Sequence, residues 1–154
     1  MSRRDSREAA VKIIFQNTFT DSRLFKSKEE FLEYNAQKCD SEAMINTYTE
    51  GITEDEIALL DTVYIKNIID GVVEKVTAID EYIVKYSKDW TIERMSKIDL
   101  AILRVAIYEI LYKEDIPSGV SINEAVELAK KYSHDDAGSF INGILGSVYN
   151  ESNA

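Results

Sequence analysis

The stretch WTIERMSKIDLAILRVAIYEILY, residues 90–112, decides the fold of this 154-residue chain. On a helical projection its apolar side chains spread around most of the circumference and leave a narrow polar stripe at Lys97, Arg104 and Tyr108. A helix that is apolar on nearly every side must be covered on nearly every side. Its charges interrupt the apolar run before the ~18–20 residues that a membrane span needs. The pattern therefore predicts a central, buried core helix.

Two carboxylates, Asp99 and Glu109, project from the apolar side of this helix. A buried carboxylate is costly unless it is paired, reaches the surface or meets a partner outside the fold. For Asp99, an internal ion pair and a contact with another molecule both stay open.

The composition favours one compact helical domain inside the cell. The length suffices to bury a core, and one proline and six glycines are too few for a turn-rich sheet protein. The single Cys39 can form no internal disulfide, and no His/Cys cluster offers a metal site, so no cofactor or metal is expected. The amino terminus lacks the apolar core of a secretory signal, which favours the cytoplasm.

At five of the predicted helix starts a Ser or Thr is followed three positions later by an acid, which is the spacing of a capping box. The pairs are Ser2/Asp5, Ser27/Glu30, Thr53/Glu56, Ser121/Glu124 and Ser133/Asp136, and Thr91 is a weaker start. With the apolar periodicity they predict helices at 3–18, 28–34, 53–73, 76–86, 90–112, 121–133 and 135–149. A long loop or partly helical excursion is expected at 36–52. Close helix packing is the expected reason for three glycines in the last helix, at 138, 143 and 146.

Charge is distributed unevenly along the chain. The net charge of −10 argues against non-specific binding to nucleic acid. Residues 1–12, however, carry four basic and two acidic side chains. Arg3, Arg4 and Arg7 lie in the first turns of the predicted helix, where the helix dipole disfavours cations. Together with free backbone N–H groups they would suit a phosphate, and a solvated basic end is the alternative.

The sequence contains no recognisable catalytic system. The single His134 would have to serve a Ser–His–Asp or Cys–His arrangement, yet no nucleophile is placed near it, and a cap or surface position explains it. The nucleotide-binding and zinc-protease patterns GxxxxGK[ST], GxGxxG and HExxH are absent. A non-enzymatic function is expected.

Three segments together resemble the NusB family of bacterial transcription antitermination factors. They are RRDSREAAVKIIFQ at 3–16, KIDLAILRVAIYEIL at 97–111, and PSGVSINEAVELAKKYS at 117–133 followed by FINGIL at 140–145. The resemblance implies an all-α fold of two small helical bundles packed around the central buried helix. It implies a single domain over 1–154, with subdomains at about 1–86 and 87–154.

The resemblance also implies a function without catalysis. NusB-like proteins pair with NusE, a small-subunit ribosomal protein, and the pair binds the boxA element of single-stranded nascent RNA from ribosomal RNA operons. Other Nus factors and the RNA polymerase complex are further implied partners, and a membrane is not. Relatives include monomers and homodimers, so the oligomeric state stays open.

Family positions carry over to individual residues. The resemblance implies RNA-phosphate contacts for Arg3, Arg4 and Arg7, and it implies base contacts for Phe15, Asp136 and Phe140. Core packing is the alternative for both phenylalanines. Asp99 is implied to face NusE or its boundary with RNA, where a basic protein could neutralise it. Leu100 stands where many relatives carry Arg or Lys, so we expect weak binding of RNA alone and strong dependence on the partner.

Two other functions stay open. The first is a helical protein–protein interaction module or self-associating domain, which would bind RNA negligibly with or without a partner. The second is the NusB-like auxiliary domain of some ribosomal RNA methyltransferases. Because the 154 residues leave no room for a cofactor-binding α/β domain, that function would require a separate catalytic chain.

Overall fold

The computed structural model describes residues 2–17, 40–88, 92 and 94–153. Within these ranges the chain forms seven α-helices and no strand, which confirms the all-α prediction. The helices are α1 Arg3–Asn17, α2 Ser41–Glu50, α3 Glu54–Ala58, α4 Thr62–Tyr86, α5 Lys97–Tyr112, α6 Ser118–Tyr132 and α7 Ala137–Ser152. None of these helices is long and apolar enough to cross a membrane. The helix expected at 28–34 and the start expected at Thr91 lie outside the described residues.

The chain divides into two compact units, Met1–Lys75 and Val76–Ala154. Unit 1 holds α1, α2, α3 and the first part of α4, and α1 contacts α2. In unit 2, each of α5, α6 and α7 packs against the other two. The boundary between these units falls within α4, after Lys75.

Helix α5 is the buried helix that its sequence predicts. Nine consecutive residues, from Asp99 to Ile107, are buried, and so is Glu109. A run of nine covers more than two full turns, so no side of α5 faces solvent over that span. The expected polar stripe is buried at Arg104, which is 9% exposed.

The burial of Arg104 is compensated by an ion pair with α4. Its Nε and Nη2 donate to the two carboxylate oxygens of Asp80, at 2.9 and 2.7 Å. This two-point geometry satisfies the guanidinium at a site where water is largely excluded. An arginine within an apolar helix is therefore consistent with a well-packed core.

Helix α4 differs from the sequence expectation. A helix at 53–73 followed by a separate one at 76–86 was expected, but the break occurs earlier, at Leu59–Asp61, and α4 then runs unbroken for 25 residues. Asp61 restarts the helix because its Oδ1 accepts a hydrogen bond from the Tyr64 N–H at 3.1 Å. Gly71 lies in the interior of α4 rather than near its end.

Side-chain capping hydrogen bonds mark the starts of three helices, of which one was predicted from the sequence and two were not. Thr53 forms the full capping box with Glu56 at the start of α3, as expected. Ser96 caps α5 by accepting from the Asp99 N–H at 3.2 Å, a Ser-x-x-Asp pair that the sequence analysis missed. Asp40 caps α2 in the same way, so most of the segment expected to be a long loop or a partly helical excursion is helical.

The starts of α6 and α7 were predicted wrongly. Helix α6 begins at Ser118, directly after Pro117, because proline fixes a suitable backbone angle at a helix start. Ser121 therefore lies inside α6, where it is buried. Ser133 is the C-cap of α6 rather than the start of the next helix, and α7 begins after Asp136.

Candidate nucleic-acid interface

The start of α1 is fixed to the segment between α3 and α4. The Ser2 N–H donates to the Leu59 carbonyl oxygen, and the Asp61 N–H donates to Ser6 Oγ, each at 2.8 Å. Ser2 also caps α1, because its Oγ accepts a hydrogen bond from the Asp5 N–H at 3.2 Å. These contacts within unit 1 hold the first turn of α1 in a defined position.

The three amino-terminal arginines occupy two different environments. Arg3 and Arg4 are exposed, whereas Arg7 is only 3% exposed. Arg7 is buried because it shares a face of α1 with Ala10 and Ile14, which belong to the core. This burial sets Arg7 apart from the other two arginines, and the RNA contact expected for it stays a prediction. Only Arg3 and Arg4 present their side chains at the surface.

The Tyr64 ring, from the first turn of α4, lies beneath these arginines. The Arg3 Cζ atom is 4.4 Å from the ring centre, within the range of a cation–π interaction. The Arg7 Cζ atom is 6.0 Å from the same centre. Two guanidinium groups thus share one aromatic ring at the end of α1 where the dipole disfavours cations.

A groove in unit 2 is the second surface of interest. It has a volume of about 570 Å³ and lies between the end of α4 and one face of α7. We call it the α7 groove, and its lining residues are Lys85, Tyr86, Ser87, Lys88, Ser139, Phe140, Gly143, Ile144 and Ser147.

The α7 groove is open because a glycine forms part of its wall. Among the described residues, a Cβ atom added at Gly143 would meet nothing within 4 Å, and the same holds at Gly146. The expectation that these glycines allow close helix packing is therefore wrong for both positions. Only Gly138 approaches a neighbouring helix, where an added Cβ would lie 3.5 Å from Val126.

The side chains around the α7 groove combine positive charge with aromatic surface. Lys85 and Lys88 are exposed, while Tyr86 and Phe140 are half-buried. Lys88 adopts a left-handed backbone conformation, with φ of 58°, just after the end of α4. That conformation commonly ends helices and turns the chain there. Lysines beside aromatic rings suit a ligand with phosphates and unstacked bases.

One end of this surface is held by a carboxylate network. Glu151, near the end of α7, accepts hydrogen bonds from Lys85 Nζ and from the Tyr86 hydroxyl, the latter at 2.7 Å. The bonds from Lys85 and then Tyr86 hold the pKa of the Glu151 carboxyl below its ordinary value of 4.5. The network thus positions two groove residues, Lys85 and Tyr86.

Replacing Glu151 by glutamine is expected to change the pH dependence of stability. A carboxyl whose pKa is lowered on folding stabilises the protein above its unfolded pKa and loses that contribution as the pH falls. The melting temperature of Glu151→Gln should therefore lie below that of wild type at neutral pH, and the difference should close below about pH 4.5. Thermal melts across this range measure it. Glu81→Gln, at an exposed position of α4, should parallel wild type, and a pH-independent gap for Glu151→Gln would contradict the account.

The remaining predicted site residues are placed as follows. Phe15 and Phe140 are each half-buried, on α1 and α7 respectively, and Asp136 is exposed as the N-cap of α7. Asp99 is 6% exposed, and within the described part of the chain its Oδ1 atom has no hydrogen-bond partner. His134 is exposed, as its surface interpretation required.

Sequence reasoning missed two parts of these surfaces. Tyr64 was assigned to a helix periodicity, and nothing in its local sequence indicates an arginine partner. Lys85, Tyr86 and Lys88 meet Phe140 only through the packing of α4 against α7. The cluster of basic and aromatic residues at the end of a predicted helix was the one available signal for the groove.

Comparison with known proteins gives the family. Residues 4–150 match the NusB family. The chain is 46% identical over 148 residues to transcription antitermination protein NusB of Ruminiclostridium cellulolyticum, covering 96% of this chain and 88% of that protein. It is 44% identical over 153 residues to the NusB protein of Natranaerobius thermophilus, covering 99% and 98%.

Solved structures agree with this assignment. T. maritima NusB superimposes with a TM-score of 0.73 at 29% identity, covering 98% of this chain and 92% of that one. A structure of the antitermination factors NusB and NusE in complex with dsRNA has the same fold, with a TM-score of 0.69 at 20% identity, covering 97% and 96%. The helical fold and the matched sequences lead to one conclusion: this chain belongs to the NusB family of transcription antitermination proteins.

Proposed function

We propose that this protein is a cytoplasmic antitermination factor that binds boxA-type single-stranded RNA together with a NusE-type ribosomal protein. It does so without catalysis, as expected for the non-enzymatic NusB family. Other Nus factors and RNA polymerase complete the assembly. The observation that carries the proposal is the α7 groove, where two lysines and two aromatic rings meet in a protein of net charge −10.

The α7 groove supplies the contacts that an unpaired RNA strand needs. The Phe140 and Tyr86 rings offer apolar faces for base stacking, which is worth about 1–3 kcal/mol per base. Lys88 lies at the same groove and attracts the phosphates, while Lys85, whose charge is balanced by Glu151, can donate a further hydrogen bond to them. Bases within a duplex are already stacked on each other, so the groove selects a single strand. Asp136, the exposed N-cap of the same helix, is proposed to accept a hydrogen bond from a base.

The exposed arginines of α1 supply a second contact, with the sugar-phosphate backbone of the RNA. Arg3 and Arg4 are proposed to bind phosphate, and Phe15, half-buried on the same helix, is proposed to contact a base. Arg7 is proposed to support this surface from inside unit 1, because it is buried. The sequence-specific part of recognition is assigned to the base contacts, since phosphate contacts carry no sequence information.

The protein partner is proposed to meet the acidic remainder of the surface. A basic ribosomal protein complements a net charge of −10. Asp99 is proposed to lie at the boundary with this partner, where a cation that reached its carboxylate would neutralise an oxygen that has no hydrogen-bond partner among the described residues. Asp99 is only 6% exposed, so this contact requires the groups that cover it to move aside. The fold shared with a NusB protein solved together with NusE and dsRNA supports the pairing with a NusE-type protein.

The test is RNA binding with and without the partner, across a salt series. Wild type should bind a boxA-type single strand weakly alone and more tightly with the ribosomal protein, and it should bind a duplex of the same sequence less well. For Arg3→Ala/Arg4→Ala we expect weaker binding, with the slope of log K against log salt reduced by about 1 to 1.5, because two phosphate contacts are lost.

The matched control removes two lysines elsewhere in unit 1. Lys66→Ala/Lys75→Ala makes the same change in net charge, and its slope should stay close to that of wild type. Equal slopes for the arginine and lysine variants would show that only net charge matters. Negligible RNA binding under all conditions would instead favour the protein–protein interaction module.

A further inference from the structure

We propose that Tyr64 is a positioning residue for RNA binding, which acts by holding the Arg3 guanidinium in place at the start of α1. The inference rests on the proposed function, because it needs Arg3 to contact phosphate. It assigns to a tyrosine of α4 a role that its own sequence context does not reveal.

The geometry of the first turn of α1 places Arg3 on the ring. The contacts of Ser2 and Ser6 with the segment at 59–61 fix where α1 begins. Asp61 in turn caps α4 through the Tyr64 N–H at 3.1 Å. The arginine and the tyrosine are thus both anchored to the same short segment, and the Arg3 Cζ atom lies 4.4 Å from the ring centre.

Tyr64 acts through Arg3 rather than on RNA directly. The residue is only 5% exposed, so no face of its ring is available for stacking on a base. Arg3, in contrast, is exposed. Contact with a ring face engages none of the five N–H donors of a guanidinium group, so those donors stay available for phosphate oxygens.

The Tyr64 ring also offsets two electrostatic repulsions that disfavour an arginine at the start of α1. The positive end of the helix dipole and the neighbouring guanidinium of Arg7 both disfavour a cation there. The negative face of an aromatic ring attracts the cation. Because the interaction restrains a long side chain before RNA arrives, less conformational entropy is lost on binding.

The experiment is a double-mutant cycle on RNA affinity that combines Tyr64→Leu with Arg3→Ala. Tyr64→Phe, which keeps the ring face, should bind a boxA-type single strand within about twofold of wild type. Tyr64→Leu should weaken binding by about threefold or more. In the Arg3→Ala background, Tyr64→Leu should cause no further loss, since the side chain through which it acts is absent.

The outcomes separate this inference from the proposed function. If Tyr64→Leu weakens binding equally with and without Arg3, the tyrosine has a structural role only and the inference is overturned. If Arg3→Ala alone leaves RNA affinity unchanged, the proposed phosphate contact of Arg3 fails, and the inference fails with it.

A measurement of the Arg3 side chain complements the affinities, and its chemical-shift part uses wild type alone. In the free protein, the Arg3 Nε–H resonance should be shifted by the aromatic ring current, and its order parameter should fall in Tyr64→Leu. A random-coil shift with full side-chain mobility at Arg3 would overturn the inference.

Discussion

Replacing Ile107 by alanine is expected to destabilise the protein by about 3–4 kcal/mol, because the change leaves a cavity at a fully buried position of α5. Ile107 is fully buried, at 0% exposed, and the eight residues before it in the helix, from Asp99 to Ala106, are buried as well. A helix covered on all sides cannot relax into solvent to fill the space. Denaturant unfolding followed by circular dichroism measures the loss.

Two substitutions calibrate that result. Ile107→Val removes a single methylene and should cost about 1 kcal/mol. Val63→Ala changes a side chain that is 70% exposed on α4, and it should change stability by less than about 0.5 kcal/mol. If Ile107→Ala were as mild as Val63→Ala, α5 would not be the centre of the core.

Replacing Phe140 by alanine is expected to weaken binding of a boxA-type single strand by about 10- to 100-fold, since one base loses its stacking surface. The ring is half-buried at the wall of the α7 groove, so part of it is available to a ligand. Affinity measured by fluorescence anisotropy, with the folded fraction determined in parallel, isolates the effect on binding.

Controls for Phe140 separate stacking from packing. Phe140→Tyr keeps an aromatic face and should bind within a fewfold of wild type. Tyr149→Ala removes a 39% exposed aromatic residue from the same helix at a position outside the groove, and its RNA affinity should be unchanged. An affinity for Phe140→Ala equal to that of wild type would return this residue to a core-packing role.

The sequence was sufficient to predict α5, because a helix that is apolar on all sides has only one environment available in a protein of this size. The sequence was insufficient to predict where α4 begins. Its start depends on one hydrogen bond, from the Tyr64 N–H to the Asp61 carboxylate, and many aspartates with the same local sequence pattern do not start helices. Helix α2, within 36–52, was not predicted for the same reason: its start depends on a single capping residue, Asp40.

The residues of the candidate site could likewise be predicted only in part. Arg3 and Arg4 could be selected from sequence, because cations at the positive end of a helix require an explanation. The burial of Arg7 could not be predicted from sequence, since it depends on how α1 is rotated about its own axis. The α7 groove could not be predicted either, because Lys85 and Phe140 are far apart in sequence and meet only in the folded chain.

The central claim is that RNA meets this protein at the start of α1 and at the α7 groove. Ultraviolet crosslinking of the wild-type protein to a uridine-rich boxA-type single strand, followed by mass spectrometry, tests it most directly. We predict crosslinks at Phe140 or Tyr86 in the groove and within residues 3–16 on α1, each lost when unlabelled RNA of the same sequence is added in excess. Crosslinks confined to other peptides, with neither of these surfaces modified, would contradict the account.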